Sequence, residues 1–334
     1  MRKLGILLFA FVLLGCEVKK SEIPLLIYDM QDAYMFDFEK KIQEATNGFF
    51  DLMTVDGQNS QIIQNEDIDK WINAKVPLLI VNPVDRLSVY SIIEKAKKSG
   101  TKIIFFNREP LAQDMALYDS VYYVGADAAE SAKIQAQIIM ELFGNDPQLN
   151  AFDKNGDGVI QAVILKGEQG HQDAEARTKV VVETLTEAGY NVEVLDISIA
   201  NFDRQTAKTA MDGLITTHGK NIEVVISNND AMALGAIEAL TDKGYFMDTN
   251  KDGKIDRNSE IWIPVVGIDG LDIAMEQIES GFLYGTVFND SQNMAEAIVE
   301  LANLLINGED VSDLSFTVTN GKYIWISYKK ITNQ

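Results

Sequence analysis

The chain has 334 residues, with 29 Lys and Arg against 50 Asp and Glu and a formal net charge of −21. That length accommodates two domains of ordinary size, each with its own core. Strong acidity, with no basic run and no basic helix face, argues against a nucleic-acid partner.

The N-terminus reads as a processing segment. Arg2 and Lys3 precede a short apolar run, residues 4–14, too short to span a bilayer comfortably. The run ends in Leu13-Leu14-Gly15-Cys16, and this single cysteine has no partner for an internal disulfide. Its placement resembles a bacterial lipoprotein signal, which implies that residues 1–15 are removed and that the Cys16 sulfur is lipidated. Residues 16–23 then form a polar tether. The mature protein is expected to be exported, anchored to a membrane only through its lipid, and to face the periplasm or the cell exterior.

From Pro24 onward, short apolar runs alternate with segments at helical spacing. PLLIY (24–28) reads as a strand, 35–45 as a helix, FFDLMTVD as a strand and 61–73 as a helix. VPLLIVN (76–82), a helix over 87–98 and KIIFFN (102–107) continue the pattern. Buried strands separated by helices read this way in a parallel sheet covered on both faces. An irregular stretch, 108–120, follows, and VYYVG is expected to open a second series of the same kind. That series runs through VIQAVILKG, YNVEVLD, NIEVVISN, WIPVVGID and FLYGTVFN, and KYIWISY (322–328) closes the chain as one strand.

Within the second series, DKNGDGVIQ has the spacing of a calcium loop. Asp153, Asn155, Asp157 and Gln161 offer side-chain oxygens at positions one, three, five and nine, Val159 offers its carbonyl, and Gly158 supplies the turn. Ile164 occupies the twelfth position in place of the usual glutamate, so the arc needs a carboxylate from elsewhere. DTNKDGKID repeats the grammar with Asp248, Asn250, Asp252, the Lys254 carbonyl and Asp256. Ser259 holds its twelfth position and Glu260 follows. This second loop reads equally as a calcium site or as a solvated acidic loop.

Asn82, Asn107, Asn228, Asn229, Asp269 and Asn289 all fall at the C-terminal ends of strands, where open α/β sheets bind ligands. A cleft rich in amides and carboxylates suits neutral hydroxyls and does not suit phosphates. No GxGxxG or GxxxxGK follows the first strand, and Gly-x-Ser-x-Gly is absent. His171 lies beside Asp173, which shares a helix face with Arg177, while His218 reads as a surface residue. Asp32 and Asp173 also admit a reading as the acid and base of an exported glycoside hydrolase.

KGEQGHQDAEAR, VVISNNDAMALGAIEAL, GIDG and GTVFND together resemble the glucose/galactose-binding branch of the ribose-type periplasmic sugar-binding family, over about residues 24–328. The resemblance implies a type I periplasmic binding protein fold, α/β, with two similar parallel-sheet domains joined by a three-strand hinge. It divides the chain into a first lobe, 24–109 plus 290–320, and a second, 110–289 plus 321–334. It implies that Asp32 accepts from the hydroxyl that differs between glucose and galactose and that Asn82 lies on the same wall. His171, Asp173 and Arg177 then stand opposite, Asn229, Asp269 and Asn289 complete the hydrogen bonds, and Tyr34 and Phe202 sandwich the ring where the family carries Phe and Trp. Glu223 is implied to close the first calcium site with two oxygens. The implied function is binding of D-galactose or D-glucose by a monomeric, non-enzymatic receptor that serves an ABC permease, with a chemoreceptor as a second partner. A sugar sensor for a membrane histidine kinase is the alternative.

Overall fold

The computed structural model describes residues 22–144 and 149–333. In chain order the elements are β1 (Glu22–Ile27), α1 (Ala33–Ala45), β2 (Asp51–Asp56), α2 (Gln61–Asn73), β3 (Leu78–Val81), α3 (Val89–Ser99), β4 (Lys102–Phe106), α4 (Ala112–Met115), β5 (Val121–Gly125) and α5 (Ala128–Phe143). There follow β6 (Ile160–Lys166), α6 (Gln172–Glu187), β7 (Val192–Ile199), α7 (Arg204–His218), β8 (Val224–Ser227), α8 (Asp230–Asp242), β9 (Val265–Val266) and α9 (Asp272–Glu279). The last are β10 (Gly285–Phe288), α10 (Ser291–Asn307), β11 (Val318–Thr319), β12 (Tyr323–Trp325) and β13 (Lys329–Thr332).

Two mainly parallel sheets result, in the orders β11-β12-β5-β4-β3-β1-β2 and β13-β10-β9-β8-β6-β7. Side chains alternate across a strand, so a sheet with helices on both faces buries both sets. In the first sheet Ile23, Leu25, Ile27, Leu78, Ile80, Ile104 and Phe106 pack in one core with α1 and α10. Leu26, Leu79, Val81, Ile103 and Phe105 point the other way, into a core with α3 and Ile68 of α2. The second sheet is buried among residues of α5, α6, α7 and α8. Side-chain oxygens cap the helix starts: Asp32 for α1, Asp127 for α5, Asp203 for α7 and Asn229 for α8.

The lobe boundaries differ from those expected. β5, assigned to the second lobe from its place after the irregular stretch, pairs in parallel with β4 and belongs to the first sheet. KYIWISY is not one strand: β12 pairs with β5 in the first sheet, and β13 pairs with β10 in the second. The chain therefore crosses between sheets three times, from β5 to α5, from β10 to α10 and from β12 to β13. The first strand also begins at Glu22, inside the expected tether. Residues 1–15 and Cys16 lie outside the described residues. Among the described residues no helix is long and apolar enough to cross a membrane.

Candidate ligand-binding cleft

The C-terminal ends of the two sheets face each other, and one cleft lies between them. Tyr28, Asp32, Tyr34, Met35, Asn107 and Arg108 line it from the first lobe. His171, Asp173, Arg177, Phe202, Asn229, Asp269 and Asn289 line it from the second. The space between these side chains is about 370 Å³, part of it open to solvent.

Arg177 is the anchor of the second wall. It is buried on α6 and donates through Nη1 to the Asn228 carbonyl at 3.0 Å and through Nη2 to the Tyr328 hydroxyl at 3.0 Å. Nη2 also lies 3.1 Å from Asp173 Oδ2, one helical turn away. Burial pushes the Asp173 and Asp269 carboxyls above their ordinary range, and Arg177 opposes the shift at both. Asp269 sits at φ +128°, a strained backbone for a residue with a side chain and a common mark of a functional position.

His171 caps α6, its Nδ1 accepting the Asp173 backbone N–H at 3.1 Å. With Nδ1 used as an acceptor, the proton of the neutral ring resides on Nε2, which becomes its donor. Burial, Arg108, Arg177 and Arg86 all push its pKa well below the ordinary value. His171 therefore works as a neutral group. Its ring meets Phe202 edge to face at 5.1 Å. Phe202 has φ +60° and fits only because residue 167 lacks a side chain: a Cβ on Gly167 would lie 2.2 Å from the Phe202 ring.

On the first wall, Asp32 Oδ1 accepts the Met35 N–H at 2.9 Å and Oδ2 accepts the Tyr28 hydroxyl at 2.6 Å. The Arg108 guanidinium stacks 3.6 Å from the centre of the Tyr28 ring. Asp32 and Asp173, weighed as a hydrolase pair, are thus held as a helix cap and as an arginine partner.

Asn82 does not line the cleft. It is fully buried beneath it, with Oδ1 accepting from Tyr28 N at 3.3 Å and Nδ2 donating to the Phe106 carbonyl at 3.1 Å and to Asn107 Oδ1 at 3.2 Å. It ties together the ends of β1, β3 and β4, and Asn107 at φ +60° turns into the cleft instead. Asn107 had the same strand-end signal as Asn82, whereas Tyr28 and Arg108 carried none beyond their neighbourhood. Asn229 and Asn289 are both buried in the lining. Asn229 Oδ1 caps α8 through Met232 N at 2.9 Å, and Asn289 Oδ1 has no protein partner.

A residue outside the expected set holds the Asp269 loop. Asp230, fully buried, accepts from Gly270 N at 2.7 Å, Leu271 N at 3.0 Å and the Thr286 hydroxyl at 2.6 Å. Burial raises its carboxyl to about 6 despite these donors. Its legible signal is a third polar residue, after Asn228 and Asn229, at the head of an otherwise apolar helix.

The 153–161 loop lies away from the cleft. Asp153 Oδ1 and Oδ2 accept from Gly156 N and Gly158 N, Asn155 Oδ1 from Asp157 N and Asp157 Oδ1 from Val159 N, at 2.8–2.9 Å. Glu223, almost fully buried, reaches in from just before β8, with Oε1 accepting from Lys154 N at 2.5 Å and Oε2 from Gln161 N at 3.2 Å. Gln161 Oε1 is buried with no protein partner and is the kind of oxygen a hard cation takes as a ligand. Among the described residues no three His, Cys, Asp or Glu side chains cluster as a metal centre.

In the second loop Glu260 likewise accepts from Thr249 N at 2.5 Å and Asp256 N at 3.1 Å, and Asp248, Asn250 and Asp252 repeat the internal pattern. The ninth position differs. Asp256 turns outward, accepting from Asn258 N at 3.0 Å and the Ser259 hydroxyl at 2.7 Å.

A two-lobed α/β receptor with its cleft at the facing strand ends is the class of protein this architecture defines. The chain belongs to the periplasmic binding protein domain family, whose profile matches residues 23–310. It is 39% identical over 296 residues to the D-galactose/methyl-galactoside binding periplasmic protein of Haemophilus influenzae, covering 88% of this chain and 84% of that protein. A putative rhizopine-binding protein of Rhizobium meliloti is 29% identical, over 78% of this chain and 76% of that one. Among solved structures, an ABC transporter solute binding protein from Bacillus halodurans with bound myo-inositol superposes with a TM-score of 0.75 at 26% identity, covering 94% of both chains. One from Actinobacillus succinogenes with bound D-allose gives 0.76 at 20% identity, over 94% of this chain and 98% of that one, a likeness of fold alone.

Proposed function

We propose that the chain binds a neutral hexose, D-galactose or D-glucose, outside the cytoplasmic membrane and hands it to an ABC importer. The lining of the cleft carries the reading. Asp32, Asp173 and Asp269 supply acceptors, Arg177 and neutral His171 supply donors, and Asn107, Asn229 and Asn289 supply amides, with Phe202 as an apolar face. Such a wall matches hydroxyls, each of which donates and accepts, and it penalises an analogue that lacks one. The Haemophilus influenzae relative, named for D-galactose, supports the choice of sugar.

Calorimetric titration of sugar-free protein with D-galactose, D-glucose, D-allose, ribose and myo-inositol tests this. Saturable one-to-one binding, tightest for D-galactose or D-glucose, is expected; tighter binding of ribose or myo-inositol would overturn the assignment. Uptake of labelled sugar should fall in a strain lacking the protein, which separates an importer receptor from a histidine-kinase sensor. Swarming of that strain toward galactose tests the chemoreceptor role, which rests on the resemblance alone.

The reading extends to calcium in the 153–161 loop. Asp153, Asn155, Asp157, the Val159 carbonyl, Gln161 and Glu223 would hold it, and its contribution is structural. Metal analysis of calcium-reloaded protein should give one ion per chain, and two if Asp256 swings inward to complete the 248–260 loop. Lipidation at Cys16 predicts that Cys16→Ser releases the protein from the membrane fraction.

A further inference from the structure

Tyr34 lies in the first turn of α1, two residues after the Asp32 cap, and lines the cleft. Its side chain is 7% exposed, and its ring meets Phe38 edge to face at 5.7 Å. The hydroxyl is buried and has no hydrogen-bond partner in the protein. A phenylalanine would fill the same place without stranding an O–H, so packing alone does not explain the oxygen.

The groups facing the hydroxyl do not satisfy it. Asp269, Tyr328, Arg177 and Asp173 act on it electrostatically, from the second lobe and from the segment between β12 and β13. Tyr328 accepts from Arg177, which also bonds Asp173, Ser131 and the Asn228 carbonyl rather than the Tyr34 hydroxyl. In the same lining, Asn289 Oδ1 is also buried without a partner. Two stranded polar atoms, one from each lobe, thus share one small cleft. A protein that buries unpaired polar atoms around a ligand space has the complement of that ligand written into them.

We propose that the Tyr34 hydroxyl hydrogen-bonds a hydroxyl of the bound ligand and makes the site select a sugar that carries an oxygen at that position. The inference rests on the sugar reading above and deepens it. Tyr34 serves as a polar specificity residue, beyond the apolar face that an aromatic ring at this place offers.

The test is calorimetric titration of sugar-free parent and Tyr34→Phe with D-galactose and D-glucose, then with the monodeoxy series of the tighter sugar. Tyr34→Phe should bind that sugar about tenfold more weakly. One deoxy position that weakens the parent about tenfold should have no further effect in the variant. The melting temperature of sugar-free Tyr34→Phe should equal or exceed the parent's, because an unpaired buried hydroxyl has been removed. Unchanged or tighter binding by the variant would overturn the proposal, as would an equal loss for every deoxy sugar, which marks a packing effect. A parent that binds no sugar overturns the sugar reading and this inference together. A parent that binds while Tyr34→Phe matches it overturns only the role of the hydroxyl.

Discussion

Asp32 combines two tasks in one carboxylate, and substitutions can separate them. Its Oδ1 caps α1, and the group faces the cleft with Oδ2 on the Tyr28 hydroxyl. Asparagine caps a helix about as well as aspartate, so Asp32→Asn should fold normally yet lose about 1.5–3 kcal/mol of sugar binding with its charge. Asp32→Ala should lose binding and about 1 kcal/mol of stability as well. Calorimetry paired with thermal melts distinguishes the two. Gly167→Ala should also weaken binding, since its Cβ would displace the Phe202 ring; unaltered affinity would place that ring outside the site. The pH dependence follows from the same side chains. His171 is held neutral, so it should contribute no inflection in affinity at the ordinary histidine pKa. Asp173 and Asp269 take up protons above the usual carboxylate range, so binding should weaken on acidification before an exposed carboxylate would titrate. Stability of the sugar-free protein runs the opposite way. Raised carboxyl values favour the protonated fold, so the contribution of these groups, and of Asp230 at about 6, is lost as pH rises through them. An inflection in affinity at the ordinary histidine pKa would contradict the neutral assignment.

At the scale of elements, the 153–161 loop and the approach to β8 behave as one staple. Glu223 joins Lys154 N and Gln161 N, 69 and 62 residues away along the chain, within the second lobe. A cation there would stabilise the fold by mass action, in proportion to how far free calcium exceeds its dissociation constant. Glu223→Gln should therefore lower the calcium-dependent part of the melting temperature, and leave sugar affinity nearly unchanged where the lobe stays folded. A melting temperature that ignores both calcium and the substitution would remove the staple.

At the scale of the whole molecule, side-chain contacts among the described residues bridge the lobes beside the cleft. Arg108 Nη2 lies 3.3 Å from Glu168 Oε2, and Gln172 Nε2 donates to Glu109 Oε2 at 2.8 Å. The Arg108 side chain is 4% exposed and that of Glu168 is 42%, so loss of the glutamate leaves a buried guanidinium short of a partner. If closure selects the binding-competent state, apparent affinity scales with its population. Glu168→Gln should raise the dissociation constant a few-fold mainly through faster release. Scattering should show the radius of gyration shrinking on sugar addition, with the variant needing more sugar. An identical radius with and without saturating sugar would count against closure.

Local rules made much of this protein legible from its sequence alone. Apolar runs at strand length, helical spacing between them and Asp, Asn or Ser at helix starts are short-range signals, and they recovered the α/β alternation. The 153–161 turn was legible for the same reason, since its Asp, Asn and Gly signals lie within nine residues. What tertiary structure decided was partnership. Nothing in VYYVG says which sheet it joins; pairing with β4 places it in the first. KYIWISY reads as one strand because its apolar pattern is continuous, yet the backbone leaves one sheet after Trp325 and enters the other at Lys329. Asn82 and Asn107 carry the same residue type at equivalent strand ends. Only the packed fold turns one inward to tie three strands together and the other, through a left-handed backbone, toward the ligand space. Glu223 and Asp230 act on groups brought near by folding, and side-chain hydrogen bonds between distant segments leave no periodicity for a sequence to display.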